Sequence, residues 1–247
     1  MATGSGVTNL VAAQLSDAAY VPLSTYQSGG NFQVTGLSAN TLPNGWQVDV
    51  ANSYATADGS NQFITLVNPT TQQVMVTFKG SDSASNFESD LANSGGSAWE
   101  SLAPAVNSAI ANIQSEYPGY QIMTDGHSLG GGMSQTADLE YGLSGYGQNS
   151  LPISTTALGD SAITNQGGQS AALSSWQSTG NTFTEVNNAG DPATLYYSTL
   201  QGQLYLNTDA STTTLSNPYA AGEVGGLAVG GLLGDIFAAY KDRKSVV

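Results

Sequence analysis

The stretch Tyr120-Gln121-Ile122-Met123-Thr124-Asp125-Gly126-His127-Ser128-Leu129-Gly130-Gly131 decides the fold. Its first half is an apolar run that reads as a strand, and residues 129–141 after it are helix formers. Strand, Gly-x-Ser-x-Gly, helix is the layout of a nucleophile elbow. A serine hydroxyl is a poor nucleophile unless it is held exposed, near a base and near donors for an oxyanion, and a sharp turn does that holding. The glycines permit the turn and let the helix start close by. The bare pattern is weak. Gly fills 30 of 247 positions, and in a chain so rich in Gly and Ser the pattern arises by chance about 0.4 times. The longer string includes Leu129, a further glycine and the single histidine. Its chance expectation falls below about 1 in 10,000.

N-terminal to the elbow, Val7 to Tyr20 reads as a helix stopped by Pro22, with Val7, Leu10, Val11, Leu15, Ala18 and Ala19 in the helical period. Trp46 to Val50 alternates like a half-buried strand. Phe63 to Val67 and Val74 to Phe78 are two further strands, joined by a hairpin turn at Asn68-Pro69-Thr70-Thr71. Lys79 to Gly96 is polar and reads as a loop. Trp99 to Tyr117 puts Trp99, Leu102, Val106, Ile110, Ile113 and Tyr117 on one helical face, and Pro104 predicts a kink or a start near Ala103.

C-terminal to the elbow, Ile153 to Leu158 reads as a short buried strand, Ser170 to Trp176 as a short helix and Phe183 to Val186 as a strand. Leu204 to Leu206 reads as an outer hairpin strand, and Leu227 to Tyr240 as a last helix weakened by glycines. A hairpin followed by alternating helix and strand predicts one α/β domain over residues 1–247, with a central mixed sheet. No fixed-period repeat or linker is visible.

Composition excludes several function classes. Four basic residues stand against 18 acidic ones, a net charge of −14. Lys241, Arg243 and Lys244 cluster near the C-terminus, which leaves Lys79 alone in the body. No basic patch exists to neutralise phosphates, so nucleic acid is excluded as a partner. Anionic membranes and polyanionic substrates are repelled. With no cysteine and one histidine, neither disulfides nor a transition-metal site is expected. No basic and then apolar leader opens this sequence. The low-charge, Asn/Ser/Thr/Gly-rich composition leans toward an exported protein, so a secreted location is expected. Gly225 to Ala239 is apolar, too short for a membrane span, and reads as buried.

Three blocks in order resemble the class 3 lipases, the fungal-lipase-like branch of the α/β-hydrolases, over roughly residues 60 to 195. The first is Phe78-Lys79-Gly80-Ser81 with Asn86-Phe87-Glu88-Ser89-Asp90-Leu91. It is similar to the family's Phe-Arg-Gly-Ser/Thr strand end and its Asn-Trp-x-x-Asp-Leu segment. The second is Gly126 to Gly131. The third is Ala157-Leu158-Gly159-Asp160 with Asn188-Ala189-Gly190-Asp191-Pro192. The resemblance implies an α/β-hydrolase-type mixed, mostly parallel sheet flanked by helices. It implies Ser128 as nucleophile, the backbone N–H groups of Leu129 and Ser81 as oxyanion donors, and Asp191 as the acid of a triad, with Asp160 the alternative acid. It places a lid at Asp82 to Asn93, polar at its start, which reads as a weak lid or a fixed rim. Asp125 reads as solvated or capping. His127 is adjacent to the nucleophile and is not expected to be the base, because neighbouring side chains there point apart.

The function so implied is hydrolysis of uncharged esters through an acyl-enzyme on Ser128. The expected partners are small-molecule, lipid or polyester substrates, with transient contact to a lipid interface. The protein is expected to be a monomer, and no cofactor is implied. One element of the pattern is absent: the family's base lies in the C-terminal part, and here His127 is the only histidine. Three readings stay open. The chain ends before its histidine, or the histidine is replaced, with Ala238, Ala239 or Tyr240 at the vacated place. Or the protein is a lipase-like module that has lost turnover.

Overall fold

A computed structural model describes residues 7–81, 96–153, 161–188, 206 and 212–215. Its centre is a seven-stranded sheet whose strands lie side by side in sequence order. Strands β1 (Gln47–Ala55), β2 (Gln62–Asn68) and β3 (Gln73–Phe78) form an antiparallel meander. Strands β4 (Gln121–His127), β5 (Ser144–Gln148), β6 (Phe183–Asn188) and β7 (Thr212–Leu215) then add in parallel. The expected mixed, mostly parallel sheet is what the chain forms.

Parallel neighbours need crossovers, and right-handed crossovers stepping in one direction put their helices on one face. Helix α3 (Gly96–Glu116) connects β3 to β4, and α4 (Leu129–Tyr141) connects β4 to β5. Helices α5 (Ser161–Asn165) and α6 (Gln169–Ser178) lie between β5 and β6. Trp99, Leu102, Val106, Ile113, Met133 and Trp176 from these helices pack with Val74, Val76, Phe78 and Phe183 of the sheet. The opposite face is covered by α1 (Asn9–Ala18) and α2 (Leu23–Ser28), whose Leu15 and Leu23 join Ile64, Leu66, Met75 and Met123. Val74, Val76 and Phe78 facing one way and Met75 the other is the two-residue pleat that the sequence pattern predicts.

Several elements differ from the sequence reading. Helix α3 begins at Gly96 and passes through Pro104, so no start falls at Ala103. Glu100, Ser101, Pro104, Asn107 and Ser108 are all exposed. The carbonyl that loses its partner to the proline therefore faces water, which removes most of the cost of the break. Helix α1 closes at Ala18, before the chain reaches Pro22, and Pro22 is also the residue before α2. Strand β5 has no counterpart in the sequence reading, since Ser-Gly-Tyr-Gly-Gln looks like a turn. Its glycines are required by crossing side chains: a Cβ on Gly145 would strike Asp138 and Thr124, and one on Gly147 would strike Ser150 and Glu185. Ile153 is fully buried, as its apolar character suggests, but makes only an isolated bridge; residues 154–160 lie outside the described residues. Leu206 is not in a strand, and the predicted helix at 227–240 lies outside the described residues.

Candidate active site

The parallel register of β3 and β4 sets the end of β3 beside the elbow. Phe78 pairs with Gly126, so the chain leaving β3 through Lys79, Gly80 and Ser81 runs beside His127 and Ser128. The contact is as close as backbones allow. A Cβ on Gly126 would overlap the backbone of Gly130 and Gly131, and one on Gly130 would overlap the carbonyl of Phe78. A Cβ on Gly80 would overlap the Tyr20 hydroxyl and sit 2.5 Å from the His127 carbonyl oxygen. Glycine is present here because two turns share one volume, and only a missing side chain lets them do so.

Ser128 sits between β4 and α4 at φ 57°, ψ −120°. Non-glycine residues avoid this region, at a cost of order 1–3 kcal/mol, and persist there where the surroundings over-determine the bend. The surroundings here do so. The Ser128 N–H donates to the Gln148 carbonyl at 2.9 Å. Its own carbonyl accepts from Leu151, Gly131 and Gly132 at 2.8, 3.0 and 3.3 Å. Leu129 opens α4, where backbone N–H groups lack intrahelical partners and the helix dipole favours negative charge. Ser81 is buried at the end of β3. Ser128 and Leu129 thus form the turn itself, and Ser81 follows Gly80, which lies against the His127 carbonyl. Asp191 lies outside the described residues, as do Asp160, Tyr240 and residues 82–95.

The one histidine is engaged elsewhere. His127 Nδ1 is 2.8 Å from the Tyr20 hydroxyl, on the α1 side of the sheet. Lys79 Nζ donates to the Gly59 carbonyl at 2.9 Å, in the β1–β2 connection. Among the described residues no group of three or more His, Cys, Asp or Glu is arranged to hold a metal, and no helix is long and apolar enough to cross a membrane.

Three carboxylates are buried near the elbow, and two of them, Asp138 and Glu185, belong to no motif in the sequence. Asp125 is not solvated: it is fully buried, because β4 continues to His127 and turns residue 125 toward the α1 layer with Met123. Gln148 Nε2 donates to its Oδ1 at 3.0 Å. Burial pushes its carboxyl well above the usual carboxylate range despite that bond. On the other face Asp138 accepts from Thr124 Oγ1 at 2.7 Å and is likewise pushed up by burial. Glu185 on β6 accepts from Ser150 N–H at 2.9 Å and from Ser150 Oγ at 2.7 Å. Burial raises it to about 7 against the lowering effect of both bonds. The signal available for Glu185 was an acidic residue in phase with the buried Phe183 in the strand Phe183-Thr184-Glu185-Val186.

A strained serine between a parallel strand and a helix, against the end of the neighbouring strand, is the geometry of an α/β-hydrolase. The model of the class 3 lipases matches residues 67–199, and the chain belongs to that family. Solved structures with the same fold include the triacylglyceride lipase of Rhizomucor miehei, at 17% identity and TM-score 0.61 over 84% of this chain and 79% of that one. Lipase II of Rhizopus niveus matches at 14% identity and TM-score 0.54, over 74% and 71%. A lipase of Rhizopus microsporus var. chinensis matches at 16% identity and TM-score 0.53, over 84% and 75%. At these identities the structures speak for the fold alone. No curated protein sequence matches the chain.

Proposed function

We propose that the protein is a serine carboxylic-ester hydrolase that cleaves uncharged acyl esters through an acyl-enzyme on Ser128. The observation that carries this reading is the positive-φ Ser128 at the β4–α4 turn, in a chain of the class 3 lipase family. Ser128 Oγ attacks the ester carbonyl, the N–H groups of Leu129 and Ser81 hold the oxyanion, the alcohol leaves with the serine's proton, and water then releases the acid. Asp191 serves as the triad acid in this reading. The structural relatives include a triacylglyceride lipase, and acylglycerols, short acyl esters and polyesters are all neutral at the reacting group. The net charge of −14 disfavours anionic lipids.

A second reading has its own support. The sequence holds no histidine but His127, and His127 is bonded to Tyr20. A lipase-like module without a base would retain only oxyanion stabilisation and binding, about 1,000-fold above water. Turnover of a p-nitrophenyl acyl ester separates the two readings. The hydrolase predicts saturable turnover that Ser128→Ala reduces to background. Turnover equal in Ser128→Ala and the unaltered protein would refute it.

A further inference from the structure

Both backbone polar groups of Ser128 are held by one short segment, residues 148–151. Gln148 accepts from the Ser128 N–H, and the Leu151 N–H donates to the Ser128 carbonyl. Gly131, in the first turn of α4, also rests on this segment, since a Cβ there would be 2.5 Å from the Ser150 Cβ and 2.9 Å from its Cα. The geometry of the elbow is therefore no firmer than the geometry of 148–151. That segment leaves the end of β5 with Asn149 at φ 48°, a conformation that needs holding.

Three of its attachments bear on residues 149–151. Asn149 N–H donates to the Val186 carbonyl at 3.0 Å. The Leu151 carbonyl accepts from Gln135 Nε2 at 2.9 Å. The third is the Glu185 carboxylate, which grips Ser150 twice, at its N–H and at its Oγ. Glu185 is 4% exposed. A buried carboxylate is a poor source of stability compared with an apolar side chain of the same size, and its best-attested use is to fix a geometry. The bidentate grip on one residue is such a use, because it sets both the position and the rotation of Ser150.

We propose that Glu185 is a positioning residue for Ser128: by gripping Ser150 it fixes the 148–151 segment that pins the elbow's backbone on both sides. Its catalytic consequence rests on the reading of Ser128 as nucleophile, whereas its effect on the backbone does not. Ser150 and Leu151 carry the effect, with one bond to Glu185 from each donor of Ser150, its N–H and its Oγ, and one bond from Leu151 onward to Ser128.

Three variants test it: Glu185→Leu, Glu185→Gln and Ser150→Ala. Residue-resolved amide hydrogen exchange is measured at Ser128 and Leu151, with Val76 of the central sheet as reference, beside the rate of fluorophosphonate labelling of Ser128. In Glu185→Leu, protection at Ser128 and Leu151 should fall about 10-fold or more relative to Val76, and labelling should slow by about 10-fold or more. Glu185→Gln should restore both to within about 3-fold, since its carbonyl accepts the Ser150 N–H and its amide donates to Ser150 Oγ. Ser150→Ala, which keeps one of the two bonds, should fall between them. If Glu185→Leu does not fold, Ser150→Ala against the unaltered protein decides by the same ratios. The proposal is overturned if Ser128 and Leu151 lose protection only in step with Val76, or if Gln is as damaging as Leu. Loss of protection as described in a protein that fluorophosphonate never labels would support the positioning role and sink the hydrolase reading instead.

Discussion

Gly130→Ala should destabilise the protein by about 3 kcal/mol and lower ester turnover by about 100-fold or more. The added methyl would overlap the Phe78 carbonyl oxygen and lie 2.9 and 3.1 Å from the carbonyl carbons of Phe78 and Lys79. These are backbone atoms on both sides, so no side chain can swing away to make room. Gly130 cannot retreat either, since Gly126 needs its own close approach to the Gly130 backbone. Helix α4 must then shift along or away from β3. That shift moves the Leu129 N–H relative to Ser81 and rotates Ser128, and misplacement by about 1 Å at such a site costs about 100-fold. Urea melts and p-nitrophenyl ester kinetics read the two effects. Unchanged values for both would mean that the β3 and β4 turns do not share their volume in this way.

The second large effect concerns pH. The folded-state pKa of Glu185 is raised by burial from 4.5 to about 7. A group raised on folding contributes stability that is fully present below the unfolded pKa and is lost as pH rises through the folded one. For Glu185 that window runs from about pH 4.5 to 7, and the loss across it is about 3 kcal/mol. Asp125 and Asp138, both raised by burial, act in the same direction. The protein should therefore be more stable at pH 5 than at pH 8, by several kcal/mol in urea. Glu185→Gln, neutral at every pH, should remove about 3 kcal/mol of that difference. The comparison isolates Glu185 from the general self-repulsion of a chain with net charge −14, which both proteins share. A stability that rises toward pH 8, or an equal slope in Glu185→Gln, would contradict the burial of this carboxyl.

The sequence made the elbow and its neighbours readable because their constraints are local. Leu129–Tyr141 follows Gly126-His127-Ser128 as a helix where the pattern puts it, and the β2–β3 hairpin turns at Asn68 to Thr71. Alternation in Val74–Phe78 reported the two faces of the sheet correctly, since a side chain's direction in a strand depends only on its parity. What stayed hidden depends on contacts made far along the chain. Ser144–Gln148 is a strand because it pairs with β4 and β6, and it carries glycines because Asp138, Thr124, Ser150 and Glu185 occupy the space that side chains on Gly145 and Gly147 would fill. Asp125 is buried because β4 runs on through it to His127 and turns it toward the α1 layer, which no local feature of the acid itself reveals. Pro104 stands inside a helix because its face is wet. Of the candidate site, the strained turn at Ser128 and the helix start at Leu129 were legible from one short motif, Gly126 to Gly131. Tyr20 as the partner of His127, and Glu185 behind Ser150, lie 107 and 35 residues from the groups they hold. No motif spans such distances.

The hydrolase reading depends on Ser128 being a reactive hydroxyl presented at a strained turn. Incubation with a fluorophosphonate, followed by peptide-resolved mass spectrometry, tests it most directly. A single adduct on the peptide containing Ser128, absent in Ser128→Ala and lost on prior unfolding, is the predicted result. No adduct on the folded protein, or an adduct spread over other serines and unchanged in Ser128→Ala, would contradict it.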